Sequence, residues 1–198
     1  MSHPNSTAKA PSQLLPEPPS WSPVRFWHCV QFYESDESLA NSVCHFINKG
    51  LKAGEGVVVI VTASHREVFE KQLRETGVDV DQASERGQFL LFDAKETLPK
   101  LMVDGKVDPG LFNEVIGGSI EKVRARGYRS VRAFGEMVAL LWNDGNRSGA
   151  LQLEELWNDL ARTYPFALFC AYQYDRNSAR EHDPAFQHVC DAHSLIVL

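Results

Sequence analysis

Glu136 sits in the segment Phe134-Gly135-Glu136-Met137, a short apolar run that ends in a carboxylate. A carboxylate so placed serves as a buried polar anchor, or as a general base where a water reaches it. A helix cap or an ion pair is the plainer structural alternative. Phe32-Tyr33-Glu34 follows the same logic, with two aromatic walls beside one polar handle, which suits a small organic ligand. Met137 and Trp142 offer apolar lining, although core packing accounts for them almost as well. Thr62 and Tyr172, each at the end of an apolar run, complete the set. His28 is a further ligand candidate, whereas its neighbour Cys29 reads as a packed thiol, because successive strand residues face opposite sides.

Two other groupings invite chemistry and carry less. Cys190 and His193, three residues apart, share a helical face, but His188 lies about 200° around the helix from Cys190. Three ligands from this one helix converge poorly on a tetrahedral ion, so no metal is expected. Glu154 and Asn158, four apart, are expected to hydrogen-bond to each other along a helix.

The elements that must position these residues alternate along the chain. Strands are predicted at about 27–32, 57–62, 89–92, 131–134, 166–172 and 195–198, and the run Val57 to Thr62 is β-branched and apolar on both faces. Helices are predicted at about 36–51, 150–163 and 184–193. Another opens on a capping box, Ser64-His65-Arg66-Glu67, and closes at Gly77. A fifth starts from Asp108 and Pro109 and runs through Val123, with Gly117-Gly118 as a packing site or a break. Strand–helix alternation of this kind predicts a parallel sheet with helices on both faces, whose ligands bind at the carboxyl ends of the strands.

The first 23 residues are rich in proline and poor in apolar anchors, so a disordered arm at 1–23 and one domain at 24–198 are expected. The segment Asp175 to His182 reads as a solvated loop. The net charge of −6 disfavours nucleic acid or an anionic membrane as partner. No apolar run approaches a membrane span, and the N-terminus has no signal-peptide core, so a cytoplasmic protein is expected. The four cysteines form no CxxC pair and are expected to be reduced and mostly buried.

Several segments, in order, resemble the MEDS family, the sensory domain of methanogen and methylotroph regulators such as the dichloromethane regulator. They are His28-Cys29-x-x-Phe32-Tyr33, Gly50-Leu51-x-x-Gly54-Glu55, Arg132 to Met137, Leu153-Glu154-x-x-Trp157-Asn158-x-Leu160, Cys170-Ala171-Tyr172 and Val189-Cys190-x-x-His193. The resemblance implies a sensor of simple hydrocarbon derivatives or other small molecules. It also implies a histidine kinase or a response or transcription regulator as output, here expected on a separate protein.

The same stretch looks like a degenerate relative of RecA/KaiC-type ATPases, with Gly87 to Ala94 matching a later segment of those enzymes. Where they carry a phosphate loop, this chain reads Tyr33-Glu34-Ser35-Asp36-Glu37-Ser38. Cradling phosphates takes glycines, a lysine and a Ser or Thr for magnesium. The segment has no glycine or lysine, and its three carboxylates would repel a triphosphate.

The expectation is therefore an α/β, three-layer, RecA-like domain that has lost the phosphate loop. It would act as a non-enzymatic sensor without a cofactor, taking a small ligand at the carboxyl edge near Tyr33, Thr62, Glu136 and Tyr172. A ligand-free protein-interaction module and a residual nucleotide-binding enzyme are the alternatives.

Overall fold

A computed structural model describes residues 27–174 and 184–197. The expected arm at 1–23, the loop expected at 175–182 and Leu198 lie outside the described residues.

The described chain runs β1 (Trp27–Tyr33), α1 (Asp36–Lys52), β2 (Gly56–Val61), α2 (Ala63–Glu75), α3 (Val80–Glu85), β3 (Phe89–Asp93) and α4 (Ala94–Thr97). A 3-10 turn and a small hairpin, β4 (Met102–Val103) and β5 (Lys106–Val107), lead to α5 (Pro109–Phe112). After a π turn at Asn113–Gly117 come α6 (Gly118–Ala125), β6 (Val131–Gly135), α7 (Met137–Asn143) and α8 (Arg147–Thr163). The chain closes with β7 (Phe166–Gln173), α9 (Pro184–Ala192) and β8 (Leu195–Val197).

Six strands form one sheet in the order β3-β2-β6-β7-β1-β8, every neighbouring pair parallel. All of β2 is buried, as its unbroken apolar sequence requires of an interior strand. Strand alternation then divides the core in two. Cys29, Tyr33, Val57, Val59, Phe134 and Phe169 pack under α1, α2 and α3. Val30, Phe32, Val58, Ala133, Cys170 and Tyr172 pack under α5 to α9 on the other face.

Local signals explain most boundaries. Ser35 caps α1 by accepting from the Ser38 amide at 3.2 Å, and Asp108 caps α5 by accepting from Leu111 at 2.9 Å. The Gly117-Gly118 pair marks a break: the π turn gives way to α6 at that junction. The capping box expected at Ser64 does not form. Thr62 is the residue before α2, its side chain caps nothing, and its amide is taken by Glu136.

α8 is the best example of pattern and exception. Leu153, Trp157 and Leu160 form its buried stripe, and Glu154 lies on the same buried side, with 0% exposure. A carboxylate carried into the core by an amphipathic helix needs polar partners there, because burying a charge alone is prohibitive.

Candidate functional site

Those partners come from β1, β7 and the turn between α9 and β8. β1 turns His28, Val30 and Phe32 toward the α8 layer, and parallel pairing sets Val30 against Cys170 and Phe32 against Tyr172 on β7. Tyr172 donates its hydroxyl to Glu154 Oε1 at 2.6 Å. Around Oε2 stand His28 Nε2 at 3.3 Å, His193 Nε2 at 3.5 Å and Cys170 Sγ at 3.5 Å. His193 belongs to the turn between α9 and β8, and its ring lies 3.8 Å from that of His28, centre to centre. All four residues are buried.

The electrostatics of this cluster are tightly coupled. Burial alone would raise the Glu154 carboxyl, but His193, His28 and the Tyr172 hydroxyl together outweigh it and hold it at about 2. Burial pushes His193 down to about 4, against the attraction of Glu154. Burial, and then Glu154, raise the Cys170 thiol well above its ordinary value.

Tyr172 also faces a pocket. Phe32, Trp142, Tyr172, Tyr174, Phe186 and Val189 line a space of ≈ 230 Å³, counted out to solvent, at the carboxyl ends of β1 and β7. Phe32 stacks on Tyr172 and tilts against Phe186, while Trp142 meets Tyr172 edge to face at 5.5 Å. Arg147 covers the Trp142 ring at 4.5 Å. The walls are almost wholly apolar, as in most small-molecule sites.

A second constellation forms on the opposite face, at the carboxyl ends of β1, β2 and β6. Glu136 Oε2 accepts from the Thr62 amide at 2.7 Å, and Oε1 is hydrogen-bonded to His65 Nδ1. His65 Nε2 reaches Asp36 at 3.3 Å, and the Tyr33 ring stands edge-on to the imidazole. The Glu136 bond, helped by Asp36, raises His65 despite partial burial. Burial, Glu136 and Asp36 all push the Tyr33 hydroxyl upward.

The sequence-predicted residues therefore fall into two groups. Phe32, Trp142 and Tyr172 line the pocket, with His28 in the polar cluster beneath it, and Tyr33, Thr62 and Glu136 meet across the sheet. The structure does not bring Tyr33 and Tyr172 into one pocket. Met137 is fully buried core, and Glu34 is exposed. Glu154 and Asn158 do not pair: Asn158 instead contacts His28 Nδ1 at 3.0 Å and the Ala192 carbonyl at 3.2 Å. His188 is exposed near Glu155, so His193 finds its partners on other elements. His65 falls in the expected cap, and Cys170 in an expected strand and a family-like segment; the structure gives both a polar role.

The fold is thus an all-parallel α/β sheet with an aromatic pocket at its carboxyl edge and a buried polar cluster beneath it. The chain belongs to the MEDS family: residues 27–193 match the model described as the MEthanogen/methylotroph, DcmR Sensory domain. No curated protein matches the chain. No described helix is long and apolar enough to cross a membrane.

Proposed function

We propose that this domain is a non-enzymatic sensor whose ligand is a small organic molecule, such as a simple hydrocarbon derivative. The observation that carries this reading is the pocket walled by Phe32, Trp142, Tyr172, Phe186 and Val189. Its walls reward apolar surface at about 25 cal/mol per Å² buried. Membership of a sensory family points the same way.

Occupancy acts through the elements that make the pocket. Phe186 and Val189 belong to α9, and Trp142 belongs to α7, so a ligand favours whichever positions of these helices bind it better. A separate histidine kinase or transcription regulator would read that change. The carboxylates Glu34, Asp36 and Glu37, which follow β1 and open α1, give no support to a nucleotide at that strand end.

A panel of short alcohols, hydrocarbons and halocarbons, scored by melting temperature, tests the reading. At least one member is expected to raise the melting temperature of the wild type, and filling the pocket with Val189→Phe should abolish the shift. If no member stabilises the protein, or if stabilisation survives in a folded Val189→Phe variant, the pocket is not the sensor site.

A further inference from the structure

Hydrogen bonds among its own members do not satisfy the cluster at His28, Glu154, Cys170 and His193. Asn158 Nδ2 donates to the Ala192 carbonyl at 3.2 Å, which orients the amide so that Oδ1 accepts from His28 Nδ1 at 3.0 Å. His193 Nδ1 lies 2.6 Å from the Val189 carbonyl and donates to it. With both Nδ1 protons so placed, a neutral imidazole presents a lone pair at Nε2. These two lone pairs lie 3.3 and 3.5 Å from Glu154 Oε2, which is itself an acceptor. His193 Nε2 makes no hydrogen bond.

Three acceptors facing one another in a buried space repel, and a cation between them reverses the sign. The spacing suits one. With Zn–N near 2.0–2.1 Å and Zn–S near 2.3 Å, tetrahedral donors stand about 3.3–3.6 Å apart. Here His28 Nε2 is 3.4 Å from Cys170 Sγ and 3.3 Å from Glu154 Oε2, and Oε2 is 3.5 Å from both Cys170 Sγ and His193 Nε2. All four donor atoms lie within 4.8 Å of one another.

The surrounding contacts have the form that metal sites use. Each imidazole donates its far N–H to a carbonyl oxygen, and the free carboxylate oxygen accepts from Tyr172. We propose that His28 Nε2, Glu154 Oε2, Cys170 Sγ and His193 Nε2 bind one divalent transition-metal cation, with zinc as the reference ion. Two imidazoles, a thiolate and a carboxylate fit the zinc class and not magnesium or calcium. Coordination releases the Cys170 thiol proton to solvent. Thiolate and carboxylate then balance the dication, and the buried complex is neutral.

The site joins β1, β7, α8 and the turn after α9, so the metal staples the last helix and strand to the core. It also touches the pocket indirectly, since Tyr172 and Val189 both line the pocket and hold ligand residues in place. The proposal does not depend on a small organic ligand being bound.

Cobalt(II) titration of chelator-stripped wild-type protein is the test. The expected result is visible absorption of tetrahedral cobalt with a thiolate charge-transfer band, saturating at one ion per chain and displaced by zinc. Cys170→Ser should lose the charge-transfer band, and Asn158→Ala, which frees His28 Nδ1, should weaken binding about 10–100-fold. His188→Gln and Cys190→Ser should leave the titration unchanged. The wild-type titration needs no variant, so a poorly folding mutant does not blunt it. Absence of saturable binding, or a charge-transfer band that persists in Cys170→Ser, overturns the proposal. So does imidazolium at His28 or His193 in stripped protein that takes up no zinc, seen by nitrogen chemical shifts.

Discussion

The Tyr172 hydroxyl donates to Glu154 Oε1 at 2.6 Å, tying the middle of the sheet to the buried face of α8. The ring of the same tyrosine forms a wall of the apolar pocket. One side chain thus joins the pocket to the polar cluster. Tyr172→Phe keeps the ring and removes only the proton donor. The carboxylate oxygen is then left buried with one partner fewer, at a cost of about 1–3 kcal/mol. Urea denaturation should show a lower midpoint with an unchanged slope. A midpoint equal to wild type would mean that the hydroxyl is not holding the carboxylate.

His65 gives the protein a pH-dependent fastening. Its folded-state pKa is raised, chiefly by the bond to Glu136 and further by Asp36, with Tyr33 as the other titratable group at its ring. A raised histidine contributes its full stabilisation below the unfolded value of about 6.5 and loses it as pH rises through the higher folded value. Wild-type stability should therefore fall relative to His65→Gln between about pH 6.5 and mildly alkaline pH. Paired urea titrations at several pH values measure this. A difference that is flat across that window would show that the Glu136 bond does not favour the charged ring.

Much of the fold was legible because burial leaves local marks. Val57 to Val61 and Phe166 to Tyr172 could only be interior strands, and Asp108-Pro109 announced a helix start. The hairpin β4–β5 was missed, although Asp104-Gly105 carried its signal: both have positive φ, at 49° and 76°. α7 was missed because seven residues are too few to display a period. The buried cluster was illegible for a different reason. His28, Glu154, Cys170 and His193 come from four elements, and no spacing along the chain announces that they meet. Each lies in a segment that resembles the MEDS family, which was the one available signal. Read singly, Glu154 and Asn158 looked like a helical pair, because their geometry permits it and only tertiary contacts divert it.

Close packing of α6 on β2 makes Gly56 sensitive. A Cβ there would come within 2.0 Å of Val123 Cγ1, and within 3.1 Å of Tyr128 Cβ. Gly56→Ala should destabilise by about 1–3 kcal/mol through overpacking. Val123→Ala in the same chain removes the nearest obstacle and should recover part of the loss, giving a favourable coupling in a double-mutant cycle. Additive losses would place the strain elsewhere.

Trp142 offers an optical reading of the pocket. It lies 5.5 Å from the Tyr172 ring and under the Arg147 guanidinium, so its surroundings change when the pocket fills. The chain has four tryptophans, and Trp157 is fully buried away from the pocket walls, so assignment needs a variant. A ligand that raises the melting temperature should also alter tryptophan emission, and Trp142→Phe should remove most of that change. At a hundredfold excess over its Kd, the ligand should stabilise the wild type by about 2.7 kcal/mol. Trp142→Phe deletes apolar wall and should bind more weakly, since one lost methylene-scale contact costs about 0.8 kcal/mol. An emission change that survives unaltered in Trp142→Phe would place the ligand outside the pocket walled by Phe32, Tyr172 and Phe186.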